Sequence, residues 1–273
     1  MSANQITLEQ VAEGQYRFHY PNFVNQLDDM IFDAVDLMDA DEYVKAKDIL
    51  HSIIDTFPEH MDAMHHLAVC LKEQGEFQVA FNLWQQAVDV GLKCFPHDVP
   101  ISDMRLEWGW LENRPFLRAY ESLGVDLYEQ DRLDEALDVF NHILSLNPND
   151  NQGIRALAIK ANFDLERPQE VLDICDRFPE DALADTFYGR LLALYQLNRL
   201  DRMEQTLKEA IEFLPVIAQE LVKKRHTEFD NLLEPEFDDE QEEAIYYWEN
   251  YGQYWRETKG AIKFLKDGLS KYA

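Results

Sequence analysis

Apolar residues recur along most of this chain at steps of three and four, the spacing that gathers side chains on one face of a helix. The clearest stretch is Leu117 to Asp150, LRAYESLGVDLYEQDRLDEALDVFNHILSLNPND. Tyr120, Leu123 and Leu127 mark a first helix there, and Ala136, Phe140 and Ile143 a second. The polar EQDRLDE between them predicts a turn. Asn147-Pro148 ends the second helix, because proline donates no N–H and disfavours a helical conformation in the residue before it. Gly124 and Ala136 are small at points where a bulkier side chain would hold two crossing helices apart.

With Tyr120, Leu123, Gly124, Ala136, Phe140 and Pro148 in register over 34 residues, this unit is similar to the tetratricopeptide (TPR) repeat. The same registers recur in Leu27 to His60, through Met30, Ala34, Leu37, Ala46, Leu50, Ile53 and Pro58, although Asp33 stands in a leucine position. They recur again in Met61 to Cys94, through Met64, Leu67, Ala68, Leu71, Ala80, Trp84 and Ala87, with a turn at Gly75. Asn151 to Asp181 and Ala182 to Pro215 supply two further pairs in looser register. The resemblance implies an all-α, right-handed superhelical solenoid of TPR-like helix pairs with a C-terminal helical cap. The expected organisation is an N-terminal arm (1–26), two repeats (27–94), an insertion (95–116), three repeats (117–215), and an acidic linker with the cap (216–273).

The segments between repeats carry less information. The aromatics of QYRFHYPNF in the arm show no helical period. The insertion holds Pro96, Pro100 and Pro115, which bar one continuous helix, and Trp108 and Trp110, expected to fill a gap between neighbouring repeats or, alternatively, to meet a ligand. Glu234 to Glu243 has seven carboxylates in ten residues and reads as a solvated loop or helix start. Tyr247, Tyr251, Tyr254, Trp248 and Trp255 then recur at helical steps, as in a buried stripe closing an array. Residues 250–273 hold five basic and two acidic residues, so this end and the acidic run are candidates to pair.

Composition narrows the class. Acidic residues outnumber basic ones 53 to 25, for a formal net charge of −28, and such a field repels phosphate backbones and anionic membranes. The expected partner is therefore a protein or peptide, with no nucleic acid and no membrane; the oligomeric state is left open. Cys70, Cys94 and Cys175 are widely separated and read as reduced packing residues. The N-terminus lacks a basic region followed by an apolar run, and no stretch approaches the roughly 18 apolar residues that span a bilayer. A cytoplasmic location is expected.

LENRPFLRAYESLG at 111–124, NPNDNQGIR at 147–155 and EEAIYYWENYGQYWRETKGAIKFL at 242–265 resemble a set of bacterial TPR proteins. Glu243, Ala244, Ile245, Tyr247, Trp255, Thr258, Gly260, Ala261 and Leu265 also distantly resemble the suppression-of-tumorigenicity-seven family of animals. Both resemblances imply a helical-repeat fold without catalytic residues, and the absence of membrane segments sets this chain apart from the animal family.

No phosphate-binding loop, dinucleotide fingerprint, nucleophile elbow or zinc-ligand spacing is present. His60, His65 and His66 are close in sequence but do not share one helical face, so no metal, no cofactor and no enzymatic activity are expected. Repeat register instead places cations toward one groove, formed by the first helix of each pair. Arg118, Tyr128, Arg155, Asn162 and Arg190 are the candidate peptide-binding residues, since guanidinium forks suit carboxylates and hence an acidic segment or chain terminus. The competing reading is that each arginine pairs with a neighbouring carboxylate of its own chain. The expected function is a non-catalytic adaptor binding a peptide or protein segment in the groove. The alternative is a regulatory or assembly factor that engages a basic protein through its acidic outer surface.

Overall fold

Between the two helices of each expected pair, the computed structural model, which describes residues 5–226 and 239–273, turns through one left-handed residue. These are Asp41 (φ 59°), Gly75 (80°), Asp131 (60°), Glu166 (54°) and Asn198 (54°). They join α1 (Asp28–Asp39) to α2 (Tyr43–Thr56), α3 (Met61–Glu73) to α4 (Phe77–Leu92), α5 (Arg114–Glu129) to α6 (Leu133–Leu146), α7 (Ile154–Asp164) to α8 (Pro168–Arg177), and α9 (Ala184–Gln196) to α10 (Leu200–Phe213). The same two backbone bonds close every turn. In the first, Glu42 N–H donates to Leu37 O and Asp41 N–H to Met38 O; in the last, Arg199 N–H donates to Leu194 O and Asn198 N–H to Tyr195 O. This is the Schellman closure, which satisfies carbonyls left over at a helix end and needs a left-handed residue to do so. Asp, Asn and Gly accept that conformation most readily. Glu166 does not belong to that group.

The chain divides after Ile154 into two compact units. In the first, α1 to α6 form three antiparallel pairs preceded by an antiparallel hairpin, β1 (Thr7–Ala12) and β2 (Gln15–His19). Gly124 lets α5 and α6 cross closely: a Cβ there would stand 2.7 Å from Phe140 and 2.8 Å from Val139. The hairpin belongs to the segment whose aromatics lacked a helical period, and its period is two. Tyr16 and Phe18 point inward while Arg17 and His19 are more exposed.

Arm and insertion form one structure. Arg105 N–H donates to Gly14 O at 2.7 Å and Tyr16 N–H to Arg105 O at 2.8 Å. Asn113, fully buried, accepts from Phe18 N–H at 3.0 Å and donates to Tyr16 O at 3.2 Å. Phe18 thereby enters an aromatic cluster with Phe95, Phe116 and Tyr120, whose successive rings lie 5.3–6.4 Å apart. The insertion tryptophans do not fill a gap between repeats. Trp108 and Trp110 lie under the guanidinium groups of Arg114 and Arg17, at 5.0 and 4.7 Å, while Met104, Leu106, Asn113 and Phe116 are fully buried. Pro115 starts α5 instead of breaking it, because the first helical turn needs no donor there.

In the second unit, α7 to α10 form two pairs, followed by α11 (Pro215–Leu221), α12 (Asp239–Glu257) and α13 (Ala261–Tyr272). Burial bears out the aromatic stripe: Tyr247, Tyr251, Tyr254 and Trp255 are buried, the first and last against Tyr188 and the middle two against Phe163, and Trp248 stands at its edge. The polar tips of the stripe are satisfied. Tyr188 Oη donates to Leu214 O at 2.7 Å, Tyr251 Oη to Ala156 O at 3.1 Å, and Trp255 Nε1 to Tyr247 Oη at 3.2 Å. Gly268 sits against Leu207, joining α13 to α10. The acidic residues Glu234–Asp238 lie outside the described residues; Lys271 and Tyr272 at the C-terminal end bond Glu204 of α10.

Candidate functional site

Arg118 lies on the second turn of α5, half-exposed, and its Nη2 donates to Asp62 Oδ1 at 2.6 Å. Asp62 stands in the first turn of α3, with His66 Nε2 3.6 Å away one helical turn on. Burial pushes the Asp62 carboxyl up, but the charge of Arg118 and the proximity of His66 more than offset it and hold the group below the usual carboxylate range. Burial lowers the pKa of His60 and His66, and lowers that of His65 to about 3, so the three are neutral near pH 7. Among the described residues no group of His, Cys, Asp and Glu is arranged to hold a metal ion.

Arg118, Asp62 and His60 form one side of a cavity of about 470 Å³. Its other walls are the end of the hairpin (Phe18 to Tyr20), α1 with Ile31 and Phe32, and the 3-10 turn Leu111–Asn113 leading into α5. Three polar atoms on residues of this wall have no hydrogen-bond partner among the described residues: Tyr20 Oη, His60 Nε2 and Arg118 Nε. The other candidate of this unit, Tyr128, lies in the last turn of α5, half-buried. Nearby Lys72 bridges Asp126 at 3.0 Å and Glu129 at 2.5 Å.

The two candidate arginines of the second unit grip the end of α8 and the turn after it. Arg155 Nε and Nη2 donate to the two oxygens of Asp181 at 2.6 and 3.0 Å, with the guanidinium 5.1 Å above the Phe178 ring. Arg190, buried in α9, donates to the carbonyls of Cys175 and Phe178, and its Nε lies 3.7 Å from Asp176. Asn162 is buried and donates back to Ala158 O at 2.8 Å. Burial would raise the Asp181 carboxyl, yet bonds from Arg155, Thr186 Oγ1 and Leu183 N–H bring it below its ordinary value.

Antiparallel helix pairs closed by one repeated turn, and crossing through small residues, define a helical-repeat protein of the TPR class. Solved structures agree on the fold. The chain is similar to a tetratricopeptide repeat protein from Parabacteroides merdae, at 14% identity and TM-score 0.52 over 90% of this chain and 99% of that one. It is similar to the C-terminal part of a TPR repeat-containing protein from Cytophaga hutchinsonii, at 11% identity and TM-score 0.51 over 89% and 78%. It also matches a chain of Naa15/Naa10 bound to HypK-THB, at 16% identity and TM-score 0.52, where 90% of this chain covers 34% of that one. The family is more specific: residues 16–272 match the family described as Transcriptional repressor TCF25, and the chain belongs to it. No curated protein sequence matches.

Proposed function

We propose that the chain is a non-catalytic protein-interaction scaffold that holds a segment of a protein partner on the face around Arg118. The observation that carries this reading is the cavity beside Arg118, which a helical-repeat frame walls with polar side chains and edges with the exposed apolar side chains of Phe32 and Leu111. TPR-like frames suit such a role because their stacked helices hold side chains at fixed spacing. Arg155, Asn162 and Arg190 are assigned here to holding the second unit together, and Arg118 with Tyr128 to the partner. The family description names a transcriptional repressor. In a chain of net charge −28 such a role fits contacts with proteins, since its field opposes a phosphate backbone.

Affinity capture from a lysate of the source organism, with quantitative mass spectrometry, tests this when run on wild type beside Arg118→Ala. Stoichiometric partners that are lost on Arg118→Ala, with the variant folded and its stability lowered by no more than the loss of the Asp62 pair, support the assignment. A partner set that is the same for both proteins refutes it. The charge excess supports a second reading, attachment of a basic protein to the acidic surface; partners that survive Arg118→Ala but leave at 0.5 M salt would favour that instead.

A further inference from the structure

We propose that the outer edge of β1 takes an extended, basic segment of a partner protein as a third strand of the hairpin's sheet. This surface goes beyond the reading around Arg118 and shares only His19 with that cavity.

The direction of each main-chain group on β1 follows from bonds on the far side of β2. Tyr16 N–H donates to Arg105 O, Tyr16 O accepts from Asn113 Nδ2, and Phe18 N–H donates to Asn113 Oδ1. Tyr16 and Phe18 therefore turn their main-chain groups away from β1. Gln10 and Leu8 stand opposite them in the register, so in an antiparallel pair these two aim theirs the other way, at the outer edge. Ile6 shares that parity, and its carbonyl indeed accepts from Cys94 Sγ, just past α4, at 3.5 Å. This bond closes one end of the edge. Beyond it, no described residue bonds the outward N–H and C=O groups of Leu8 and Gln10.

The kind of occupant follows from that ladder. Donors and acceptors recur along one line every two strand residues, roughly 6.8 Å. An extended main chain matches this repeat, whereas a helix has already bonded its own N–H and C=O groups. Gln10 is exposed and Leu8 half-buried, so the edge is within reach. Beside it a groove of about 790 Å³ is lined by residues 5–9 and by Val90, Lys93 and Cys94, leaving room for the side chains of an added strand. The register irregularity between Gln10 and Ala12 ends the regular edge, so the added ladder is short.

Charge selects among extended segments. Glu9 and Glu59 line the groove against Lys93, and the Glu9 side chain stays 56% exposed although Arg17 lies 3.2 Å away. An added antiparallel strand sets one residue opposite Glu9 in a pair without main-chain bonds, where side chains approach most closely. A Lys or Arg there completes a cross-strand ion pair. An acidic segment would meet these carboxylates and a chain of net charge −28. A second copy of this chain would bring the same excess, and pairing its Gln10 with Leu8 would set Glu9 against Glu9.

The test uses the full chain and a phage-displayed library of random linear dodecapeptides as probe. The expected consensus alternates β-branched or aromatic residues with Lys or Arg. In synthetic peptides of that consensus, N-methylation of alternate amides should weaken binding to the wild-type chain at least tenfold, while N-methylation of the amides between them leaves it unchanged. Gln10→Pro removes an outward donor and none of the hairpin's own bonds, a position where an edge strand tolerates proline. It should weaken binding about fivefold, the size of one hydrogen bond. Glu59→Lys should weaken it about threefold, as for an exposed charge pair, and Arg118→Ala should leave it unchanged. Binding that ignores which amides are methylated overturns the edge site. Binding lost on Arg118→Ala does the same, and leaves the reading around Arg118 standing. An acidic consensus overturns the basic assignment. A wild-type chain that sediments as a dimer and becomes monomeric on Gln10→Pro gives the edge to a second copy and overturns the foreign strand. A library that yields no enriched peptide overturns the proposal, while capture from lysate on Arg118→Ala still judges the other reading.

Discussion

Arg155 holds both oxygens of Asp181, at 2.6 and 3.0 Å, across the turn that joins α8 to α9. The side chains are 14% and 10% exposed, so the pair is largely out of water. Removing the cation leaves a poorly solvated carboxylate behind. Arg155→Ala should therefore cost about 2 kcal/mol of unfolding free energy. Arg118→Ala, whose partner faces an open cavity, should cost about 1 kcal/mol or less. Urea denaturation of both variants checks the ranking; equal losses would mean that the two arginines do the same work.

Glu166 is a β-methylene residue in a left-handed turn that Asp, Asn or Gly occupies in the other four pairs. Its side chain is exposed, so little packing is lost on removing it. Glu166→Gly should stabilise the protein by about 0.5–1 kcal/mol, relief of the Cβ clash outweighing the greater freedom of glycine in the unfolded chain. Thermal unfolding decides it, and a lower melting temperature would show that the side chain makes a contact worth more than the strain.

Asp62 and Asp181 both have folded pKa values below the ordinary 3.8: burial raises each, and their donors and neighbouring positive charges outweigh it. Such a group contributes its stability in full above the unfolded-state pKa and loses it as pH falls through the folded value. Melting temperature should thus drop from pH 5 toward pH 3, and Asp181→Asn should flatten that drop. Asp185 has the opposite sign, because burial raises its pKa. Asp185→Asn should raise the melting temperature at pH 7 by more than at pH 4.

Tyr188 and Leu207 are buried, under the α12 stripe and against Gly268 of α13 respectively. Deleting residues 240–273 uncovers both. The shortened chain should aggregate or lose several degrees of melting temperature, as light scattering and calorimetry would show. A truncated protein that stays monomeric and equally stable would mean that α12 and α13 do not cap the array.

The helix pairs were legible because Tyr120, Gly124, Ala136, Phe140 and Pro148 lie close in sequence and obey a single period. The hairpin was legible only in part. Tyr16 and Phe18 alternate with Arg17 and His19, a period-two signal, but the segments that anchor it, Arg105 and Asn113, come about ninety residues later. Register correctly put Arg155, Asn162 and Arg190 on the first helices of their pairs. It could not show where their donors go, since the oxygens of Asp181 and the carbonyls of Cys175 and Phe178 belong to a turn with no periodic signature. The cavity escaped the sequence for the same reason, being assembled from three stretches that lie far apart in the chain.

The bond from Phe18 N–H to Asn113 ties together residues 95 apart in the chain. Most helical-repeat contacts are local, so an array of this kind gains structure step by step as it leaves the ribosome. The hairpin cannot follow that order. Its second edge stays unpaired until Arg105 and Asn113 have been synthesised, by which time the first two helix pairs already exist. The hairpin, made before the helices of its unit, is thus among the last parts of that unit to settle, and the wall that it gives to the Arg118 cavity is absent until then.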